Sequence, residues 1–290
     1  MEKLNRLDTV PNQFLNAVER ILPELYGNLI STLNLELENG RVARTQANMQ
    51  RVLTALDGFK SYILNPDLSP YFQTVSNFMG EFDVQKELNN QMLAAFGTIP
   101  TASEVVYAAS RRQAVNLLIG DHMTSQFVGA LRETLIESVS TRRSYTDMVE
   151  ALSEVVNGNA QRDGRLLNWT KQVAHDSFAM TDAAYSSSAA QELGVEWWSY
   201  IGGLIDDSRC FCVQRNGGYY HTDEIRQWGN LEDIGACRTD NGWAGRMPNT
   251  DAETIFVKRG GYRCQHSFIP VSESVVPQSA IDRWKAKFGN

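Results

Sequence analysis

Trp198-Ser199-Tyr200-Ile201, followed by Asp206-Asp207-Ser208-Arg209-Cys210-Phe211-Cys212 and Asn216-Gly217-Gly218-Tyr219-Tyr220, is a stretch unlike anything before it in the chain. About forty residues later comes its counterpart, Gly260-Gly261-Tyr262-Arg263-Cys264-Gln265-His266-Ser267-Phe268-Ile269-Pro270-Val271. Glycine, tryptophan, tyrosine and cysteine are dense from Val195 onward. Val195 to Ile201 predicts a short aromatic strand. Gly217-Gly218 predicts a turn into a strand, and Cys264 to Val271 predicts a strand that ends at a proline. Between them, Thr222-Asp223-Glu224-Ile225 predicts a capped short helix with Ile225 and Trp228 turned inward. Ile281 to Phe288 predicts a final helical turn or two.

Upstream of Val195 the pattern is helical, with apolar residues three and four apart. Phe14, Val18, Ile21, Leu22, Leu25, Leu29, Leu33 and Leu37 predict one long helix over 12–39, interrupted or bent at Pro23 and stopped at Asn39-Gly40. Further helices are predicted from Val42 to Leu64, from Ser69-Pro70 to Phe96, from a capping box at Thr101-Ala102-Ser103-Glu104 onward to Val139, from Tyr145 to Val156, and from Arg162 to Leu193. The fold class is therefore α+β: a long-helix N-terminal region, 1–160, then a C-terminal domain, 161–290. That domain has a lead-in helix at 162–193, a compact part with short strands and loops at 195–271, and a short tail.

Bulk composition narrows the function classes. With 27 Lys and Arg against 34 Asp and Glu, the formal charge is −7, a poor match for wrapping duplex DNA over the whole surface. Arg111-Arg112, Arg142-Arg143, Arg41, Arg44 and Arg51 could contact phosphate or a partner, but a charged helix face is usually only solvated. No apolar run approaches the roughly 18–20 residues of a membrane-spanning helix. The first residues, Met1-Glu2-Lys3-Leu4-Asn5-Arg6, lack an apolar signal core, so a cytosolic origin is expected.

All four cysteines, Cys210, Cys212, Cys237 and Cys264, fall in the last third. Cys210, Cys212, Cys264 and His266 could supply four zinc ligands, with His221 or Cys237 as substitutes. Cys-x-Cys and Cys-x-His are tighter than the usual ligand spacing, but residues i and i+2 of a strand share a face. Buried thiols, or a Cys210–Cys264 or Cys212–Cys264 disulfide formed outside the cell, are the competing expectations. A cysteine hydrolase would cast Cys212, His266 and Asp206 as nucleophile, base and orienting group, yet no nucleophile signature surrounds either cysteine. No catalytic residue is therefore assigned. Asp207 is expected to hold backbone amides and Arg209 to bridge to the second stretch. Gly202-Gly203 and Gly260-Gly261 lack the lysine and frame of a phosphate loop.

The order of these pieces resembles the C-terminal domain of the phage Mu F-like minor head, or head-morphogenesis, proteins. The resemblance spans about 100 residues, from near Leu166 to Val271. The helix carrying Ala174-His175-Asp176-Ser177 stands as its lead-in helix, and Trp198 lies on the aromatic strand. Asp207-Ser208-Arg209 stands as its Asp-x-Arg element, Gly217-Gly218 as its turn, and Arg263-Cys264-Gln265-His266 with Pro270-Val271 as its ending. His266 takes the place of a second cysteine, and the insert from Gly229 to Lys258, with Cys237, is a departure. The resemblance implies a structural virion component of low copy number, in the capsid interior or at the portal vertex, made in the host cytoplasm. Its implied partners are the portal protein and other head or connector proteins, with packaged double-stranded DNA as a neighbour. Its implied work is head assembly, with a part in DNA packaging or ejection. A cysteine hydrolase or toxin-like effector on the same scaffold, and a zinc-stabilised nucleic-acid-binding module, are the alternatives.

Overall fold

The computed structural model describes residues 2–289. It is 65% helical, with strands confined to small antiparallel sheets and concentrated, apart from two tiny hairpins, toward the C-terminal end. The expected α+β class is the observed one. Among the described residues, no helix is long and apolar enough to cross a membrane.

Helix α1 spans Glu2–Thr32 and buries Leu7, Val10, Phe14, Val18, Leu22, Leu25 and Leu29. It is neither stopped nor split at Pro11 or Pro23. A proline inside a helix costs ~3 kcal/mol, whereas each fully buried leucine or valine contributes roughly 1.5–3 kcal/mol. The stripe on both sides of Pro23 therefore outweighs the lost hydrogen bond. The helix ends seven residues before the expected stop. Asn39-Gly40 instead turns a hairpin between β1 (Leu37–Glu38) and β2 (Arg41–Val42). Both residues are left-handed, with φ of 52° and 75°, as a two-residue hairpin turn requires. Leu37, whose spacing extended the apolar stripe, is exposed.

Next come α2 (Gln46–Ile63), capped by the Thr45 hydroxyl, and α3 (Pro70–Leu93). In α4 (Thr101–Ile119), Thr101 already lies within the helix rather than capping it. Glu104 is engaged elsewhere, by Lys86 at 3.0 Å, so the expected capping box does not form. The short α5 (Asp121–Met123) passes through a wider π turn at Thr124–Val128 into α6 (Gly129–Ser140). Helix α7 (Tyr145–Asn157) ends at Gly158, whose φ of 81° suits a helix stop. The hairpin of β3 (Gly158–Asn159) and β4 (Arg162–Asp163) leads into α8 (Arg165–Glu192).

The contacts gather into two units. One comprises Val10–Gly80 and Gln113–Ala174. Phe14 and Phe78 stack in it at 4.2 Å, Tyr71 donates to the Leu118 carbonyl at 2.7 Å, and the Trp169 indole donates to the Leu117 carbonyl at 2.9 Å. The other comprises the chain up to Thr9, Glu81–Arg112 and everything from His175 onward. Within it, the buried Asp182 on α8 accepts from Gln85 and Asn89 and pairs with Lys3 at 3.4 Å.

This second unit contains the three-stranded antiparallel sheet. Strand β5 (Trp197–Gly202) lies between β6 (Gly218–His221) and β7 (His266–Val271). Trp198 pairs with Tyr220 on one side and Pro270 on the other, and Tyr200 with Gly218 and Phe268. Pro270 is tolerated because β7 is an edge strand. Trp198 and Tyr200 face a core with Ala189, Ala190, Phe211, Ile225, Trp228 and Phe256. Trp197, one residue along, points to the opposite face and packs with Val276, Ile281 and Trp284. That second layer comes largely from α12 (Gln278–Phe288). The remaining pieces are α9 (Cys210–Arg215), α10 (Thr222–Gly229) and α11 (Ile255–Lys258). Ile225 and Trp228 of α10 are buried as expected, and the cap is a reciprocal His221–Glu224 box.

Candidate metal centre

Cys212 lies in α9, Cys264 in the turn before β7, and His266 is the first residue of β7. Their side chains meet beside Tyr200 of β5. The Cys212 and Cys264 sulfurs are 3.7 Å apart. The Tyr200 hydroxyl lies 3.4 Å from one and 3.5 Å from the other. The His266 ring stacks on Tyr200 with centroids 5.1 Å apart. All three candidate ligands are buried, their ligand atoms fall within 4.8 Å of one another, and the group could hold a metal ion such as zinc. His266 Nε2 is buried with no hydrogen-bond partner, which a coordinated ion would supply.

The sulfur spacing provides an independent test of fit. Zinc–sulfur bonds of ~2.3 Å at a tetrahedral angle put two thiolates about 3.8 Å apart, and the observed 3.7 Å agrees. The hydrogen bond between the two sulfurs, with help from His266 and Arg259, holds the Cys264 thiol well below its ordinary range against the cost of burial. The same hydrogen bond, joined by burial, pushes Cys212 well up.

Two residues to which the sequence assigned no role at this site shape it. Arg259 is fully buried, and its guanidinium donates to the carbonyls of Cys264 at 3.3 Å and His266 at 3.2 Å. It thereby fixes the backbone that carries both ligands. Gly260 sits against the sulfurs. A Cβ there would come within 2.4 Å of Cys212 Sγ and 2.9 Å of Cys264 Sγ, so no larger residue fits without displacing them. Tyr200 was read only as an apolar strand residue, and Arg259 carried no signal beyond preceding Gly260-Gly261.

Cys210 does not join the group. It forms a disulfide with Cys237, across 27 residues of sequence. The expectation that Cys210 and Cys212 share a face assumed a strand. They lie on a helix, where positions i and i+2 point about 200° apart. The alternative Cys210–Cys264 and Cys212–Cys264 disulfides are likewise not formed. Cys237 is thus removed as a substitute ligand. His221 serves as a helix cap, its Nδ1 accepting from the Asp223 amide at 3.3 Å.

The remaining motif residues distribute as follows. Trp198 is buried and its indole donates to the Thr222 hydroxyl at 3.0 Å. Asp207 is exposed, and Ser208 caps the turn instead, accepting the Ile205 amide at 2.7 Å. Arg209 does bridge to the second stretch, donating to the Tyr262 carbonyl. Gly217, with φ of 75°, donates its amide to Tyr200 at 2.7 Å, and Gly218 pairs with Tyr200 in the sheet. The Arg263 amide donates to Asp176 of α8 at 2.6 Å, tying the lead-in helix to the second stretch. Asp206, cast as an orienting carboxylate, is exposed on the loop after β5. Of the arginines singled out, Arg51, Arg111, Arg142 and Arg143 pair with Glu36, Asp83, Glu38 and Glu137.

Cys212, Cys264 and His266 also line a cavity of about 320 Å³ with Asp207, Arg209, Arg263 and Gln265. No family model, curated protein or solved structure matches this chain.

Proposed function

We propose that this chain is a structural minor head protein of a tailed-phage virion, associated with the portal vertex and assisting head assembly. One observation carries the reading. The stretches that carry the Mu F-like resemblance, scattered over about 100 residues, fold together against one three-stranded sheet. Trp198 of the first stretch pairs with Pro270 of the second, and Asp176 of the lead-in helix caps the Arg263 amide. The disulfide between Cys210 and Cys237 suits a protein that ends in a particle released to an oxidising exterior.

In this reading the buried group holds zinc, because two sulfurs and an imidazole are the donors zinc favours over harder ions. The ion and the disulfide then staple a domain built on a small three-stranded sheet. The helical region supplies the docking surface for the portal, with packaged DNA as a neighbour and a part in packaging or ejection. Co-expression with the portal protein of the same phage tests the assignment. Co-purification of this chain with assembled portal rings, abolished by changes on the exposed helix faces, is the expected result. Portal rings that assemble and retain none of it would sink the proposal.

A further inference from the structure

We infer that the ion held by Cys212, Cys264 and His266 keeps a fourth coordination position that a small anion or carboxylate from outside the chain fills through the adjoining cleft. The inference rests on the metal reading above. A tetrahedral zinc needs four ligands, and the buried group offers three. No further His, Cys, Asp or Glu among the described residues joins it within the same compass. Cys210, which sequence spacing would offer as the fourth, is bonded to Cys237.

The three ligands all line the same cavity of about 320 Å³, so the missing position has somewhere to open. Two thiolates neutralise a divalent ion. The charged side chains lining the cleft are then Arg209 and Arg263 against Asp207, an excess of one positive charge that favours a monoanion. Tyr200 is the in-chain competitor, with its hydroxyl 3.4 Å and 3.5 Å from the sulfurs. A phenol is outside the usual zinc ligand set, and a neutral hydroxyl donating to thiolates is an outer-shell role.

The test uses the full chain loaded with cobalt(II), whose visible bands report coordination, and azide as the probe. Saturable, stoichiometric cobalt with thiolate charge-transfer absorption is expected first. Azide then shifts the visible bands saturably, and Arg263→Gln weakens azide about threefold to tenfold by removing one nearby charge. Failure to bind cobalt would sink the metal reading and this inference with it. Cobalt bound with bands indifferent to azide would overturn this inference alone. A Tyr200→Phe change that makes such an indifferent site responsive would assign the position to the phenol.

Discussion

The sulfurs of Cys212 and Cys264 lie 3.7 Å apart although 52 residues separate them in the chain. Helix α9 carries one and the turn into β7 the other, and Arg259 and Gly260 hold them in register. A spacing that matches a tetrahedral dithiolate centre leads to a first prediction. The purified protein contains one zinc per chain by elemental analysis. Cys212→Ser and Cys264→Ser abolish it. Tyr200→Phe lowers zinc affinity about 10–100-fold, as loss of an outer-shell partner does, measured by competition with a chelating dye. Full retention of zinc in both cysteine variants would refute the ligand assignment.

Gly260→Ala should destabilise the protein by about 1–3 kcal/mol, the usual cost of overpacking, because its Cβ would press on both sulfurs. Gly27→Ala in α1 meets nothing within 4 Å and should stabilise by roughly 0.5–1 kcal/mol through helix propensity. Denaturant melts of the two variants check both signs together.

Breaking the disulfide should separate stability from metal content. Cys237→Ser opens a loop closed across 27 residues and should cost about 2–4 kcal/mol on the chain-entropy account. Zinc stoichiometry should stay unchanged, because Cys210 is outside the ligand group. Loss of zinc in Cys237→Ser would show that the centre depends on the disulfide or on Cys237 itself.

Alkaline titration should show tyrosines that resist ionisation. Tyr71 is wholly buried and burial pushes its pKa up; Tyr185 is pushed up to about 12, chiefly by burial and then by Glu104. A folded value above the unfolded one means that the stabilisation is fully present below pH ~10 and is lost as pH rises through the folded values. Ultraviolet difference titration should therefore record these two phenols ionising late, in step with unfolding. Ionisation of every tyrosine near pH 10 without unfolding would contradict the packing.

Much of this architecture was legible from residue patterns. The stripe from Phe14 to Leu29 marks α1, and Gly158 marks the end of α7. The aromatic run at Trp197-Trp198 marks the central strand, although both rings are buried because the sheet is covered on two faces. Two-residue strands were not legible. Leu37 kept the helical period by coincidence, and only the left-handed Asn39-Gly40 pair marked the hairpin.

At the site, Cys212, Cys264 and His266 were legible as one group. Cys210 was misplaced because ligand spacing carries no information on whether the backbone between two cysteines is strand or helix. Tyr200 and Arg259 were given no role at the site because an aromatic in a strand reads as core and an arginine in a loop reads as solvated. Their roles arise only when distant segments meet.

The measurement closest to the central claim, the proposed virion role, is quantitative mass spectrometry of purified, DNA-filled particles of the phage proposed to encode this chain. The account predicts peptides from both the helical region and the C-terminal domain, at low copy number relative to the major capsid protein. Particles that lack the chain while it accumulates in the lysate would contradict it.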